Sequence, residues 1–110
     1  MKRVIQLGII LMVVIAVPSL ILAKGDTAKG KTLFASKCAT CHGPAGEGKD
    51  AIAKMMKVEM APLSSKKVQD KTDVQLTEEI TKGTGKMKAV SGLKDSDVAD
   101  LIAFVRSLKK

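Results

Sequence analysis

Residues 38–42 read Cys38-Ala39-Thr40-Cys41-His42, and they hold both cysteines and the single histidine of the 110-residue chain. Their order matches the C-x-x-C-H pattern through which a haem is attached. Two intervening residues bring the two sulfurs within reach of the two haem vinyl groups, and His42 is then directed at the iron. The spacing therefore predicts one covalently bound, iron-containing haem c, with Cys38 and Cys41 as attachment points and His42 as an axial ligand.

Three other roles for these residues find less support in the sequence. A disulfide between Cys38 and Cys41 would close so short a loop that it would stabilise little structure. A thioredoxin-like redox pair needs a βαβ context, and no stretch of the chain alternates apolar and polar residues for long enough to form a strand. A structural zinc site needs four ligands, whereas the chain offers only two cysteines and His42.

The first 23 residues have the three-part order of a secretory signal peptide. A basic start at Lys2 and Arg3 precedes an apolar run, and the run ends in the small residue Ala23. We expect cleavage after Ala23. Cleavage there would remove two basic and no acidic residues, which lowers the formal net charge from +8 to +6.

An uncleaved membrane anchor is the alternative for the same segment. Val4 to Ala23 spans 20 residues, which is about the length needed to cross a bilayer. Pro18 near the end of the run, and the lack of a basic cluster after it, favour cleavage. In both cases we expect residues 24–110 to form one domain outside the cytoplasmic membrane, in the periplasm or otherwise exported.

Capping signals and hydrophobic periodicity predict that this domain is all-α. The predicted helices run from residue 27 into 38, from 50 to 57, from 73 to 82, and from about 95 almost to the end. Their start signals are Asp26-Thr27, Asp50, the capping box of Thr72 and Gln75, and Asp95. The residues expected to face inward are Leu33, Phe34, Val74, Leu76, Ile80, Val98, Leu101, Ile102, Val105 and Leu108.

The domain is small for an ordinary hydrophobic core. A short chain buries a smaller share of its surface than a long one, and this sequence has no Trp, no Tyr and only two Phe. A haem is a large, flat and mostly apolar body that would supply the missing bulk. We therefore expect three to five helices wrapped around one haem.

The second axial position of the iron cannot be filled by histidine from the same chain, because His42 is the only one. Methionine, water, no ligand or a less usual group remain. Met55 and Met56 lie on a predicted helix, where methionine usually fills a core, and Met60 lies in an extended segment. Met87 lies in the glycine-containing loop between the last two predicted helices, which can fold over the far face of the haem, and it is the favoured candidate.

With these residues in view, nearly all of residues 26–108 resembles the class I cytochrome c family in its small bacterial form. Gly30 and Phe34 stand eight and four residues before Cys38, as in the first helix of that family. Gly43, Gly46 and Gly48 follow the attachment motif. Ala61-Pro62-Leu63 is similar to the proline segment of the family, Met87 falls where its axial methionine stands, and Asp100 to Leu108 resembles its last helix.

The resemblance implies further roles. The carbonyl of Pro62 would accept a hydrogen bond from the second ring nitrogen of His42, which fixes the ring and tunes the metal. Gly30 would let the last helix, with Phe104, approach the first helix closely. Two positions depart from the family pattern: Lys88 replaces the usual proline after Met87, and Lys94 replaces a usual serine cap. We expect helix capping to pass from Lys94 to Asp95.

A haem iron with histidine and methionine on its two faces has no open position for substrate. We therefore predict a non-enzymatic one-electron carrier and a monomer, acting between exported or membrane redox partners, with membrane contact only transient or through an uncleaved anchor. Lys86 and Lys88 would border the haem edge and steer an acidic partner; nucleic acid is not expected. The alternatives are a haem protein whose open sixth position binds small gases or peroxide, and a cytochrome subunit of a larger oxidoreductase.

Overall fold

The computed structural model describes residues 25–110, which contain six helices and no strand. The helices are α1 (Thr27–Lys37), α2 (Ala39–His42), α3 (Asp50–Met56), α4 (Lys66–Gln69), α5 (Asp73–Lys82) and α6 (Asp95–Ser107). The all-α prediction is confirmed, and the count of helices exceeds three to five because α2 and α4 are single turns of four residues. The predicted signal peptide lies outside the described residues. None of the helices within residues 25–110 is long and apolar enough to cross a membrane.

Helices α1 and α6 cross in close contact, and Gly30 makes that contact possible. A Cβ atom at Gly30 would lie 1.9 Å from the carbonyl oxygen of Asp100, so only hydrogen fits there. One turn further along, the rings of Phe34 and Phe104 pack with their centroids 4.9 Å apart and tilted by 52°. Such tilted aromatic pairs are favourable beyond the area that they bury. The crossing brings the end of α1, and with it the attachment motif, against the core.

The caps of α1 and α5 follow the sequence signals. The carboxylate of Asp26 accepts hydrogen bonds from the backbone N–H groups of Ala28 and Lys29. The Thr72 hydroxyl accepts from the N–H of Gln75 at 3.1 Å, and the Gln75 side chain accepts from the N–H of Thr72 at 2.9 Å. These bonds satisfy donors that a helix start leaves free.

Two predicted caps are wrong by one residue. Helix α6 begins at Asp95, so Lys94 is its N-cap, and Asp97 rather than Asp95 accepts the N–H of Lys94, at 2.9 Å. Helix α3 includes Asp50 as its first residue, and Lys49 is the N-cap. An acidic side chain in the first turn still suits the positive end of the helix dipole.

Two apolar side chains lie on the side opposite to the one predicted. Val74 is 68 % exposed, because only Leu76 and Ile80 of α5 face the core, and Met55 is 71 % exposed at the end of α3. The remaining inward predictions are confirmed by two adjoining clusters of buried side chains. The first contains Val68, Leu76, Val98, Ile102 and Val105, and the second contains Phe34, Leu101 and Phe104; Leu33 and Leu108 pack against the second.

Two polar side chains connect α6 to the segment before α5. The amide nitrogen of Gln69 donates to the carbonyls of Leu63 and Val105, at 2.8 and 2.9 Å. The Arg106 guanidinium donates to the carbonyls of Gln69 and Lys71 and forms an ion pair with a carboxylate oxygen of Asp73 at 2.8 Å. These bonds fix the segment between Leu63 and α5, which includes α4 and forms one wall of the site described next.

Candidate haem site

A large cavity of about 860 Å³ opens between the helices and the two long loops. Cys38, Cys41 and His42 all line it, and so does Met87. Its volume is in the upper part of the range of about 300–1,000 Å³ that is usual for cofactor and ligand sites. More than half of the lining side chains are apolar; those from the buried core are Phe34, Val68, Leu76, Leu101, Ile102 and Val105.

The attachment motif is presented by the single turn α2 at the end of α1. The N–H of Cys38 still bonds to the carbonyl of Phe34 at 2.9 Å, and the N–H of His42 bonds to the carbonyl of Cys38 at 3.0 Å. Gly43 ends the turn with φ of 80°, a conformation that favours glycine. The helical turn holds the two sulfurs and the imidazole on a short, defined piece of backbone beside the cavity.

The Cys38 thiol does not have the character of a catalytic redox thiol. Burial raises the pKa of the Cys38 thiol, and the positive charge of Lys37 only partly opposes this effect. A catalytic thiol would instead need its pKa lowered so that the thiolate forms. Cys38 and Cys41 are not joined by a disulfide, and residues 25–110 contain no group of three or more His, Cys, Asp or Glu side chains that could hold a metal ion such as zinc.

The His42 ring is suited to ligate a metal. Burial lowers the pKa of the ring and so favours its uncharged form, which is the form that binds metal. The ring lies 6.4 Å from that of Phe34, between centroids. Its Nδ1 atom is buried and has no hydrogen-bond partner. The carbonyl of Pro62, which the resemblance paired with this nitrogen, accepts the N–H of Ser65 at 2.9 Å.

The glycine loop after α2 connects the attachment motif to the Pro62 segment. The N–H of Gly48 bonds to the carbonyl of His42 at 2.6 Å, and the N–H of Leu63 bonds to the carbonyl of Gly46 at 2.8 Å. Met60 packs on this loop, since a Cβ atom at Gly48 would lie 3.6 Å from its sulfur. Met60 also lines the cavity that Met87 lines. It does so while packing on the loop that follows His42.

The loop that carries Met87 is a tight turn between α5 and α6, about 45 residues after the attachment motif. Thr84 and Met87 exchange two backbone hydrogen bonds, at 3.0 and 2.9 Å, and the N–H of Val90 bonds to the carbonyl of Ile80 at 2.8 Å. Gly83 adopts φ of 81° at the end of α5 and is packed against the backbone of Met87, where a side chain would clash. Met87 is held half-buried at the cavity wall.

Comparisons with known proteins agree with this geometry. The profile of the family described as "Cytochrome c" matches residues 27–109. The chain belongs to the cytochrome c family. It carries the covalently bound, iron-containing haem c of that family, as the attachment motif predicted.

Two curated relatives and one solved structure show how far the likeness extends. Cytochrome c-554(547) of Halothiobacillus neapolitanus is 30 % identical over 90 residues, which cover 77 % of this chain and 99 % of the relative. Cytochrome c6 of Synechocystis sp. is 37 % identical over 82 residues, which cover 73 % of this chain and 63 % of the relative. The solved structure of the KustC0563 c-type cytochrome superposes with a TM-score of 0.62 at 27 % identity, covering 74 % of this chain and 98 % of that one.

The rim of this cytochrome's cavity carries more positive than negative side chains. The charged residues that line it are Lys37, Lys67, Lys71, Lys86, Lys88, Glu59 and Glu79. Lys71 and Glu79 form an ion pair with each other and are only about one third exposed, which leaves the remaining lysines to dominate the outer field. The sequence predicts Lys86 and Lys88 at this edge but not Lys37 and Lys67, because only the fold brings the helices of the latter two to the same opening.

Proposed function

We propose that this cytochrome is a one-electron carrier whose haem is bonded to Cys38 and Cys41 and whose iron has His42 and Met87 as axial ligands. The observation that carries the proposal is the single cavity that all four side chains line. When bound, the haem supplies a metal centre that changes its charge by one electron. The chain supplies the attachment, the two ligands and a mostly apolar enclosure that limits the access of water.

The ligand pair explains why the protein would transfer electrons and not transform a substrate. With both axial positions occupied, no position on the iron is free, and methionine ligation raises the reduction potential. Ligands held in place in both oxidation states keep the structural rearrangement small. The family accounts for the general function of an electron-carrying haem protein. The assignment of His42 and Met87 as ligands is our proposal for this chain.

Pro62 is proposed to take part by fixing the histidine. The buried Nδ1 of His42 has no partner, and a metal-ligating imidazole almost always donates its other N–H to an acceptor. The Pro62 carbonyl already accepts one N–H, but a carbonyl oxygen has two lone pairs and can accept a second. The second lone pair of the Pro62 carbonyl is therefore the acceptor that we propose for the N–H at Nδ1 of His42.

The expected setting is outside the cytoplasmic membrane. The support is the signal-peptide pattern in residues 1–23, the thioether motif, and a family of exported carriers. We propose a monomer that exchanges electrons with redox proteins, touching the membrane only transiently or through an uncleaved N-terminal anchor. The lysine-rich rim favours redox proteins with acidic surfaces, and we do not propose nucleic acid as a partner.

The covalent bond is tested by haem extraction and intact mass of the matured protein. We expect acid-acetone to leave the pigment on the wild type and to leave it on Cys38→Ala or Cys41→Ala, each of which keeps one thioether. The double variant should hold no covalent haem. Colourless matured protein, or pigment stripped from the wild type, would contradict the proposal.

The axial methionine is tested by comparing Met87→Ala with Met60→Ala. The oxidised wild type should show the weak charge-transfer band of methionine-ligated ferric haem. Met87→Ala should lose the band and gain carbon monoxide binding in the reduced state, whereas Met60→Ala should keep the band. The reverse pattern assigns Met60 as the ligand. Prompt carbon monoxide binding by the reduced wild type would favour the open-site alternative.

Electrostatic steering can be tested with two small redox probes of opposite charge. If the rim is effectively positive, oxidation by ferricyanide slows as salt is added, and oxidation by the cationic tris-phenanthroline cobalt complex quickens. Lys88→Glu should weaken both trends. Lys31→Glu, an exposed position of α1 that does not line the cavity, is the control with the same charge change. Equal effects of the two variants would mean that net charge alone matters.

A further inference from the structure

The backbone bonds of the Met87 loop all lie on one side of the cavity. The paired bonds between Thr84 and Met87 are internal to the turn, and the bond from Val90 runs back to Ile80 of α5. Gly83 and Gly85 both have positive φ, and glycine gives the least stiff backbone. Lys88, which follows Met87, does not lock the backbone as a proline would. These bonds anchor the loop to α5 but not to α3, which also lines the cavity.

Lys86 supplies the connection to α3. Its ammonium nitrogen lies 2.5 Å from the carbonyl oxygen of Met56, a residue 30 positions earlier in the chain. Met56 is the last residue of α3, and the two N–H groups that close the helix end, from Lys57 and Val58, bond to other carbonyls. The Met56 carbonyl is therefore available, and the C-terminal end of a helix attracts a positive charge.

Both ends of this bond belong to the cavity. Met56 lines it from α3, and Lys86 lines it from the loop, directly before Met87 in sequence. The hydrogen bond thus links α3 through Lys86 to the Met87 turn and α5, and both of its ends line the cavity. In the absence of this bond, no hydrogen bond between described residues joins the turn of residues 84–87 to α3.

We propose that Lys86 is a positioning residue: it bonds the Met87 loop to the end of α3 and thereby keeps the methionine sulfur on the iron. The proposal rests on the ligation by Met87 given above. Lys86 is exposed, so its ammonium group can also bond to water. The bond to Met56 therefore stabilises the closed loop only as much as a typical intramolecular hydrogen bond does. Loss of the bond should raise the population of the open loop, in which Met87 has left the iron, about three- to tenfold.

Imidazole binding to the oxidised holoprotein measures that population, because an external ligand can bind only when Met87 has left the iron. Its apparent affinity is the intrinsic affinity multiplied by the open fraction. We expect Lys86→Ala to bind imidazole about three- to tenfold more tightly than the wild type. Lys86→Arg, which keeps a charged donor, should restore most of the difference.

Lys88→Ala is the matched control. It removes the same charge from the same loop and from the same cavity rim, but Lys88 forms no hydrogen bond within the described residues. It should change the imidazole affinity less than twofold. If Lys86→Ala and Lys88→Ala had equal effects, the cause would be the lost charge, and the positioning role would be wrong.

Amide hydrogen exchange provides a readout that does not depend on which residue ligates the iron. The N–H groups of Thr84, Met87 and Val90 should lose protection in Lys86→Ala and keep it in Lys88→Ala. If the wild type lacks the methionine band and yet this protection pattern appears, the ligand assignment fails and the loop attachment stands. If the band is present and protection is the same in both variants, the attachment fails and the ligand assignment stands.

Discussion

Gly30 is the residue at which the packing of the fold allows the least change. A methyl group there would lie 1.9 Å from the carbonyl oxygen of Asp100, and a backbone oxygen cannot rotate away as a side chain can. Helices α1 and α6 would have to separate, which would also loosen the Phe34–Phe104 pair. Alanine is the better helix former by about 1 kcal/mol, but overpacking of this kind costs about 1–3 kcal/mol or more.

We therefore expect Gly30→Ala to lower the free energy of unfolding of the holoprotein by roughly 1–3 kcal/mol. Guanidinium-induced unfolding followed by far-UV circular dichroism measures it. Lys31→Ala, one position along on the exposed side of α1, is the control and should change little. A Gly30→Ala protein as stable as the wild type would mean that the two helices are not packed this closely.

Arg106 is a second residue whose shape matters more than its charge. Its guanidinium reaches two carbonyls and the Asp73 carboxylate at once, and lysine has no planar fork with which to do so. Arg106→Lys should destabilise the holoprotein by about 1–2 kcal/mol in thermal or chemical unfolding. The exposed pair of Lys66 and Asp70 is the contrast: Lys66→Ala should have no measurable effect. Equal stability of Arg106→Lys and the wild type would mean that charge alone is enough.

At the scale of the helix, α6 begins with an unfavourable residue. Lys94 is the N-cap, its side chain offers no acceptor to the free N–H groups, and its charge lies at the positive end of the helix dipole. Lys94→Ser would keep the bond from the backbone N–H to Asp97 and add a capping hydroxyl. We expect the free energy of unfolding to rise by about 0.5–1 kcal/mol, seen as a higher Tm.

The control for this variant is Lys109→Ser, which removes the same charge beyond the other end of α6. A positive charge near a helix C-terminus is favourable, so this variant should not gain stability. If both variants stabilised the protein equally, the gain would come from the lower net charge, and capping would not be its cause.

Some helices could be predicted from the sequence better than others, because some are fixed by local hydrogen bonds and others by contacts between distant residues. The starts of α1 and α5 are specified by local hydrogen bonds from Asp26 and from the Thr72–Gln75 box, which sequence reveals. Helix α4 has no apolar periodicity; the side chain of Gln69 holds it through hydrogen bonds to the carbonyls of Leu63 and Val105. The orientation of Val74 depends on where α6 lies, and no local signal carries that information.

The same division applies to the candidate site. Cys38, Cys41 and His42 are neighbours in sequence, so their grouping could be predicted from the motif alone. Met60 and Met87 both line the cavity, so the choice between them depends on distances across the fold and stays a prediction. The bond from Lys86 to Met56 joins residues 30 positions apart. No pattern in the sequence pairs a particular lysine with a particular backbone carbonyl.

At the scale of the whole molecule, the haem is part of the core. Of the eight apolar side chains that are buried among the described residues, six also line the cavity. The cavity is open to solvent on one side, so without haem water would enter it and wet these apolar side chains. A typical domain is stable by only about 5–15 kcal/mol, so the lost apolar contacts are a large fraction of what holds it folded. The cavity cannot persist empty; without haem the walls must collapse or admit water.

We therefore expect the double variant Cys38→Ser/Cys41→Ser, isolated without haem, to lose the native structure. The two clusters of buried side chains would face a void instead of the porphyrin, and small domains have little other apolar burial to compensate. Its amide NMR signals should collapse into the narrow range of an unfolded or molten chain, while the holoprotein gives a dispersed spectrum under the same conditions. Dispersed signals and cooperative unfolding in the haem-free variant would mean that the helices pack independently of the cofactor. The cavity would then be a preformed pocket, and the haem would be a ligand of a stable fold and not the centre around which that fold forms.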